Sequence, residues 1–302
     1  MDVIRLLDPV VVSLKHNDPP TAHVDQESIS NKKLNIRYAT TSENQLLDIY
    51  YPLYGSGPFP TIIFFHGGAF WGGERNDFQC IYALNGIFHG YAVASVDYRL
   101  SDEEKFPAAV YDCKASIRFL RAHASEYKLD PDKFVLMGNS AGAYMATMAG
   151  ISAGNPVMDD PDAENASVSD DVSAIVGLFG VYDLCECSEF ADKMIASGSP
   201  FKENYIDLFV GLECRNYPGL MRAASPLTYI TPACPPTLIQ AGTADALVPL
   251  SGSINLVDKI NSVCGPGRAV LDTFEGARHG DPIYDSAENI ERIFCFLDKH
   301  LK

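Results

Sequence analysis

The sequence has no long apolar run and no recognisable secretion signal. Nowhere in the 302 residues do about 18 apolar residues follow one another, which is the length that a helix needs to cross a bilayer. The short apolar stretch at Val10 to Val12 is preceded by Arg5, Asp8 and Pro9, and no small-residue cleavage site follows it. We therefore expect a soluble protein without a signal peptide.

Basic residues are also scarce, since 23 Lys and Arg stand against 39 Asp and Glu and leave a formal charge of -16. A surface of this sign repels the phosphates of nucleic acids and anionic lipid headgroups. We expect neither nucleic acid nor membrane as a partner, and a neutral or weakly charged small molecule as substrate. Composition leaves homo-oligomerisation open.

The eight cysteines show no metal-binding spacing. Cys185 and Cys187 form the one closely spaced pair, and no second pair or nearby histidine completes a ligand set. We predict neither a metal nor a cofactor. Several cysteines lie within apolar stretches, where a reduced thiol behaves as a small hydrophobic group. This pattern favours a reducing, cytoplasmic setting.

Repeats and low-complexity tracts are absent, and strand-like and helix-like patterns alternate along the chain. Apolar runs bounded by turn residues predict strands at residues 61–65, 92–96, 133–137, 174–179, 237–241 and 269–274. Apolar residues at three- and four-residue spacing predict helices at residues 108–124, 141–152, 251–263 and 287–300. This alternation predicts an α/β fold in which helices cover both faces of a mostly parallel sheet.

We predict one domain over residues 1–302, beginning with an arm at residues 1–32. Residues 33–38 and 46–51 are expected to start the sheet as an antiparallel pair. The alternation is interrupted at residues 182–232, which carry several short segments between two predicted strands. We interpret this stretch as a small inserted cap over a pocket.

The segment Gly138-Asn139-Ser140-Ala141-Gly142 joins a predicted strand to a predicted helix. This context is typical of a nucleophile elbow, in which a tight turn presents a serine at the edge of the sheet. Residues two before and two after the serine lie too close to neighbouring backbone for a side chain, so glycine is favoured there. We predict Ser140 as a nucleophile.

A serine hydroxyl needs a base and an orienting carboxylate to become a nucleophile. His279 lies in the loop between the strand at residues 269–274 and the last helix, and Asp245 lies just after the strand at residues 237–241. We predict these two residues as the partners of Ser140, with Asp281 and Asp183 as alternative acids. The order Ser, Asp, His is the one expected in an α/β-hydrolase fold.

A glycine-rich loop, residues 66–73, follows the strand at residues 61–65. Such a loop can point backbone N–H groups at a developing oxyanion. We predict the N–H of Gly68, with Gly67 or Ala69 close by, and the N–H of Ala141 as the donors. His66 is expected to brace this loop.

With these features the sequence resembles the α/β-hydrolase esterases related to hormone-sensitive lipase, and within them the bacterial feruloyl and acetylxylan esterases. The resemblance covers about residues 38–301. It rests on His66-Gly67-Gly68, Asp97-Tyr98-Arg99-Leu100, Phe106-Pro107-Ala108, Asp112-Cys113-Lys114, the elbow at Ser140, Ala224-Ser225-Pro226-Leu227 and the loops at Asp245 and His279. Ala69 replaces a third glycine found in many relatives and narrows the space beside the acyl group.

The resemblance implies a serine esterase that cleaves small acyl or aromatic esters, such as acetyl or feruloyl esters, through an acyl-enzyme. An arylformamidase-like or other amide hydrolase is the alternative, because the same three residues serve both reactions. A non-catalytic ligand-binding protein on this fold is a third hypothesis. We predict that the pocket is lined by Phe70, Trp71, Tyr182, Phe209 and Leu220.

Overall fold

The structure is a computed structural model that describes residues 29–199 and 201–301. One sheet of eight strands forms its centre. The strands are β1 (Lys32–Arg37), β2 (Leu46–Tyr50), β3 (Phe59–Phe65), β4 (Ala92–Val96), β5 (Leu129–Asn139), β6 (Ala174–Leu178), β7 (Thr237–Gly242) and β8 (Ala269–Phe274).

Eight α-helices and six 3₁₀-helices connect the strands within the described residues. The α-helices are α1 (Ile81–Leu84), α2 (Ala108–Ala122), α3 (Ala141–Ile151), α4 (Leu184–Ala196), α5 (Tyr205–Val210), α6 (Pro218–Ala223), α7 (Leu250–Cys264) and α8 (Ala287–Leu301). The 3₁₀-helices are Phe78–Cys80, Asn85–Phe88, Pro156–Met158, Cys214–Asn216, Pro226–Tyr229 and Pro282–Asp285.

The strand order is β1-β2-β4-β3-β5-β6-β7-β8. From β4 to β8 all neighbours are parallel, whereas β2 pairs antiparallel with both β1 and β4. Successive residues of β3 point to opposite faces, so Ile63 packs in a core with α2, α3 and α7, while Ile62 packs in a second core with α1 and α8. This arrangement confirms the predicted α/β-hydrolase fold with helices on both faces.

Each predicted strand and helix has a counterpart in the structure, and the differences lie at the ends. The largest concerns β5, which begins at Leu129, four residues before the predicted start at residue 133. Leu129 pairs with Phe59 ahead of an irregularity in the β3–β5 register. The residues between Leu129 and Phe134 are mostly polar, and a prediction based on continuous apolar runs therefore misses this part of the strand.

Between β6 and β7 the chain forms α4, α5 and α6, the segment predicted as a cap. Contacts from this segment reach the loops that follow β3 and β7. The ring of Phe209 stacks on Phe70 with centroids 4.1 Å apart, and the Tyr205 hydroxyl donates to the Leu247 carbonyl at 3.1 Å. A capping role stays a prediction. The predicted arm lies outside the described residues except for its last four positions, 29–32.

No helix among the described residues combines the length and apolar character needed to cross a membrane.

Buried tyrosines predict alkaline unfolding. Burial raises the pKa of Tyr38, Tyr98, Tyr144 and Tyr205 well above its ordinary value, so these phenols stay protonated in the native state. In the unfolded chain they ionise near pH 10. The contribution of these phenols to the free energy of unfolding is therefore complete below pH 10. Above pH 10 it falls by about 1.4 kcal/mol per pH unit for each tyrosine.

We expect circular dichroism and tyrosinate absorbance to report one cooperative transition above pH 10. Ionisation of most tyrosines while the native circular dichroism persists would contradict this explanation.

Candidate active site

Ser140 lies at the turn between β5, which ends at Asn139, and α3, which begins at Ala141. Its backbone has φ 52° and ψ -121°. Non-glycine residues rarely adopt this strained conformation, and those that do are found mainly at functional turns. A Cβ at Gly138 would lie 2.2 Å from the Gly142 carbonyl oxygen, and one at Gly142 would lie 2.0 Å from the Phe65 carbonyl oxygen. Both glycines are therefore required for the turn, for the reason predicted from the sequence.

The structure brings Ser140, His279 and Asp245 together. The Nε2 of His279 lies 3.0 Å from the Ser140 Oγ, and its Nδ1 lies 2.8 Å from the Asp245 Oδ2. With the proton on Nδ1, the ring donates to the carboxylate, and Nε2 is free to accept the serine proton. These residues come from the loops after β5, β7 and β8, which meet because the carboxyl ends of parallel strands share one edge of the sheet.

The Asp245 carboxylate is held by the turn in which it lies. Its Oδ1 accepts the backbone N–H of Leu247 at 2.8 Å and that of Val248 at 2.9 Å. The side chain is 5% exposed, against 17% for His279. The second oxygen thus faces the imidazole in a fixed direction and is largely shielded from water.

An aromatic wall beside His279 was not predicted. The ring of Phe179 meets the imidazole edge-on at a centroid distance of 4.8 Å and lies 4.6 Å from the ring of Tyr284. Burial, with the charge of Asp245 adding to it, raises the pKa of Tyr284, so its phenol stays neutral. Phe179 follows β6 directly, at the same sheet edge as the other three residues, and this position is the sequence signal that could have identified it.

The loop after β3 carries backbone N–H groups that the sequence predicts as oxyanion donors. Gly68 and Ala69 have φ values of 126° and 54°, and no hydrogen bond among the described residues uses the N–H of either residue or of Ala141. These three groups stay candidate oxyanion donors. The prediction that Gly67 is an oxyanion donor is wrong, because its N–H already donates to the side-chain oxygens of Gln79 at 2.9 Å and Asn139 at 3.2 Å.

His66 braces this loop, as expected. Its Nδ1 lies 2.8 Å from the Gly67 carbonyl oxygen, and its ring stacks on Tyr98 at a centroid distance of 4.5 Å. The Tyr98 hydroxyl donates to the His66 carbonyl oxygen at 2.6 Å. The imidazole of His66 is 1% exposed, so a packing role accounts for it fully.

Three of the five predicted substrate contacts lie in the core instead. Phe70, Tyr182 and Phe209 are at most 2% exposed, so the prediction that they line an open pocket is wrong. Phe70 and Phe209 stack on each other, and the edge of Tyr144 meets Phe70 at 5.3 Å, which fills the space with rings. Trp71 and Leu220 keep part of their surface exposed and stay predicted contacts.

Possible metal ligands are not gathered into a cluster in the part of the chain that the structure describes. No group of three His, Cys, Asp or Glu side chains is arranged there to hold an ion. The sequence pair Cys185 and Cys187 belongs to no such cluster, and Cys187 is buried in the core.

Comparisons with known proteins show which sequences and solved structures this chain resembles. Residues 47–260 match the BD-FAE family model. The esterase LipC of Mycobacterium tuberculosis is 28% identical over 231 residues, which cover 76% of this chain and 55% of LipC. A probable isoprenylcysteine alpha-carbonyl methylesterase, ICMEL1 of Arabidopsis thaliana, is 27% identical over 82% of this chain and 50% of its own length. The chain thus spans about half the length of these curated relatives.

Among solved structures, a truncated carbohydrate esterase from gut microbiota superposes with a TM-score of 0.79 at 24% identity. The match covers 91% of this chain and 98% of that one. At this identity the likeness speaks for the fold, and the fold is the one described above. Since the family model spans most of the chain, including the loop after β3 and the residues at Ser140 and Asp245, the chain belongs to the BD-FAE family.

Proposed function

We propose that this protein is a serine hydrolase that cleaves small carboxylic esters through an acyl-enzyme intermediate. The observation that carries the proposal is the continuous hydrogen-bonded series Ser140–His279–Asp245, with distances of 3.0 and 2.8 Å, beside backbone N–H groups that bind no other atom of the described chain. The names of the relatives, an esterase and a methylesterase, support the same reaction class.

In the first half of the proposed reaction, the Ser140 Oγ attacks the ester carbonyl while His279 Nε2 takes the hydroxyl proton. The carbonyl π electrons move to the oxygen, which the N–H groups of Gly68 or Ala69 and of Ala141 stabilise. The oxyanion then re-forms the carbonyl as the ester C–O bond breaks, and the imidazolium gives its proton to the departing alcohol. Asp245 holds the ring orientation and stabilises the charge on the imidazolium.

In the second half, water attacks the acyl carbonyl while His279 takes one of its protons, the bond between the acyl carbon and Ser140 Oγ breaks, and the imidazolium returns the proton to Ser140 as the carboxylic acid leaves. The proposed reaction steps need no metal or cofactor, because the imidazole supplies the proton transfers and backbone N–H groups supply the charge stabilisation.

We propose short acyl groups as the preferred substrates, because rings fill the space beside the nucleophile. Tyr144 lies one helical turn after Ser140, and its ring packs against Phe70 and Phe209 in a cluster with almost no exposed surface. Ala69, next to this cluster, adds a methyl group where glycine would leave room. A long acyl chain directed toward this cluster would have to displace buried aromatic rings.

The proposed setting is a reducing compartment, the cytoplasm. All eight cysteines are free thiols, and five of them, Cys80, Cys113, Cys187, Cys214 and Cys234, are buried.

Initial rates with p-nitrophenyl acetate, butyrate and octanoate test the proposal. We expect kcat/KM for the acetate to exceed that for the octanoate at least about tenfold, the discrimination that a few unaccommodated methylenes produce. The rate of methyl ferulate hydrolysis, measured in the same series, shows whether the exposed part of the site accepts an aromatic acyl group.

A matched amide, p-nitroacetanilide, separates the ester hydrolase from an amide hydrolase. A preference for the amide would replace the proposal by an arylformamidase-like activity. A folded protein that hydrolyses none of these compounds would contradict the proposal and favour a ligand-binding role.

A further inference from the structure

Gln79 links the loop after β3 to the nucleophile turn, although it belongs to neither. It lies in the 3₁₀-helix Phe78–Cys80. Its Oε1 accepts the Gly67 backbone N–H at 2.9 Å and the Asn139 Nδ2 at 2.6 Å. Asn139 directly precedes Ser140, and its own Oδ1 accepts the Gly67 N–H at 3.2 Å. One side-chain oxygen thus joins the chain segments that carry the candidate oxyanion donors and the nucleophile.

The orientation of the Gln79 amide is itself fixed. Its Nε2 donates to Asp77 Oδ2 at 2.9 Å, and its backbone N–H donates to Asp77 Oδ1 at 2.8 Å. A carboxylate accepts and cannot donate when ionised, so it selects the nitrogen end of the amide. The oxygen end must then face Gly67 and Asn139.

The junction is also sterically closed. A Cβ at Gly67 would lie 2.6 Å from the Gln79 Oε1 and 2.9 Å from the Asn139 Nδ2. Asn139 is 4% exposed, so water competes poorly for its amide. These contacts occupy the Gly67 N–H, whereas no hydrogen bond within the described chain uses the N–H groups of the next two residues.

An oxyanion donor is effective only when it lies within about 2.7 to 3.1 Å of the developing charge. The distance from the loop after β3 to Ser140 therefore has to be held to a fraction of an ångström, and the contacts of Gln79 and Asn139 span that distance. We propose that Gln79 is a positioning residue, which sets the oxyanion donors of Gly68 and Ala69 relative to Ser140. This inference rests on the proposed function and deepens it.

The test replaces Gln79 by Met, which has similar length but no acceptor for the Gly67 N–H. We expect kcat for p-nitrophenyl acetate to fall about 10- to 100-fold, while KM stays within about threefold, because the donors act on the transition state and not on the bound ester. Gln79→Asn, shorter by one methylene, should show the same division between kcat and KM, and it serves if the Met variant does not fold.

A trifluoromethyl ketone gives a second measurement that a purely structural role would not change. Ser140 Oγ adds to its carbonyl carbon, the serine proton passes to His279, and the carbonyl oxygen becomes an oxyanion held by the same donors. We expect the inhibition constant to rise by about the factor by which kcat falls, since both depend on oxyanion stabilisation.

Gln45→Met is the matched control. The Gln45 Oε1 accepts two backbone N–H groups, those of Thr41 at 2.8 Å and Ser42 at 3.0 Å, and its Nε2 donates to Asp112 Oδ1 at 2.7 Å, as the Gln79 Nε2 donates to Asp77. The Gln45→Met variant loses the same kind of contact as Gln79→Met, so the two variants should show a comparable change in melting temperature. In Gln45→Met, however, kcat and the inhibition constant should stay within about twofold of the wild type.

The inference is overturned if folded Gln79→Met and Gln79→Asn keep both the wild-type kcat and the wild-type inhibition constant. It is equally overturned if their loss appears in KM alone, or if Gln45→Met loses as much kcat. A wild-type protein that neither hydrolyses the ester nor binds the ketone has a different meaning, because it refutes the proposed function itself and the positioning role with it.

Discussion

Replacing Ser140 by alanine is expected to lower kcat for p-nitrophenyl acetate by about 10⁴- to 10⁶-fold. The substitution removes the Oγ that lies 3.0 Å from His279 Nε2, so no covalent intermediate can form. The residual rate would come from the oxyanion donors and from substrate binding alone. The fold should persist, because alanine only deletes one partly exposed oxygen.

Ser116→Ala is the matched control for this loss. Ser116 is buried on α2, and its hydroxyl donates to the Cys113 carbonyl at 2.7 Å and not to Ser140, His279 or Asp245. Its kcat should stay within about twofold of the wild type. If Ser140→Ala retains more than about a tenth of the wild-type kcat, another residue is the nucleophile and the proposed mechanism fails.

Replacing Asp245 by asparagine is expected to lower kcat by about 10⁴-fold while the protein stays folded. The asparagine oxygen can still accept the N–H groups of Leu247 and Val248, so the turn is preserved. The amide nitrogen would then face His279 Nδ1 and donate to it. This contact selects the tautomer with its proton on Nε2, which cannot accept the proton of Ser140.

The two alternative acids supply the controls. Asp183 caps α4 by accepting the Glu186 N–H at 3.1 Å, and Asp281 caps a 3₁₀-helix by accepting the Ile283 N–H at 3.2 Å. Their asparagine variants keep a capping oxygen and should keep kcat within about twofold of the wild type. A loss in Asp281→Asn as large as that in Asp245→Asn would mean that the structure assigns the acid incorrectly.

The juxtaposition of Ser140, His279 and Asp245 could be predicted because each residue depends on a short local pattern. The turn at Ser140 needs glycine at positions 138 and 142, and both lie within two residues of the serine. Asp245 and His279 each follow an apolar strand, and a parallel sheet gathers such loops at one edge. Strand order and register were not needed for this step.

The network at Gln79 could not be predicted, because it depends on side chains that meet only in the folded state. Gln79 and Asn139 are 60 positions apart, and neither lies in a pattern that marks it as a partner of Gly67. The same limit explains the error at Gly67. A glycine in such a loop can offer its N–H in either direction, and a distant side chain decides which.

The error at Phe70 and Phe209 has a different origin. An aromatic residue beside a reaction centre is compatible with a pocket wall and with a core position, and sequence alone does not separate the two. Packing of α5 against the loop after β3 brings the two rings 4.1 Å apart and excludes water between them. Tertiary contact therefore places these two predicted pocket residues in the core.

Covalent trapping tests the role of Ser140 as nucleophile most directly. The folded protein is treated with diethyl p-nitrophenyl phosphate, whose phosphorus a nucleophilic serine attacks with release of p-nitrophenol, and the product is digested for mass spectrometry. We predict a single diethylphosphoryl group on the peptide that contains Ser140, and none on the Ser140→Ala protein. An unmodified wild-type protein, or equal labelling of another residue in both proteins, would contradict this assignment.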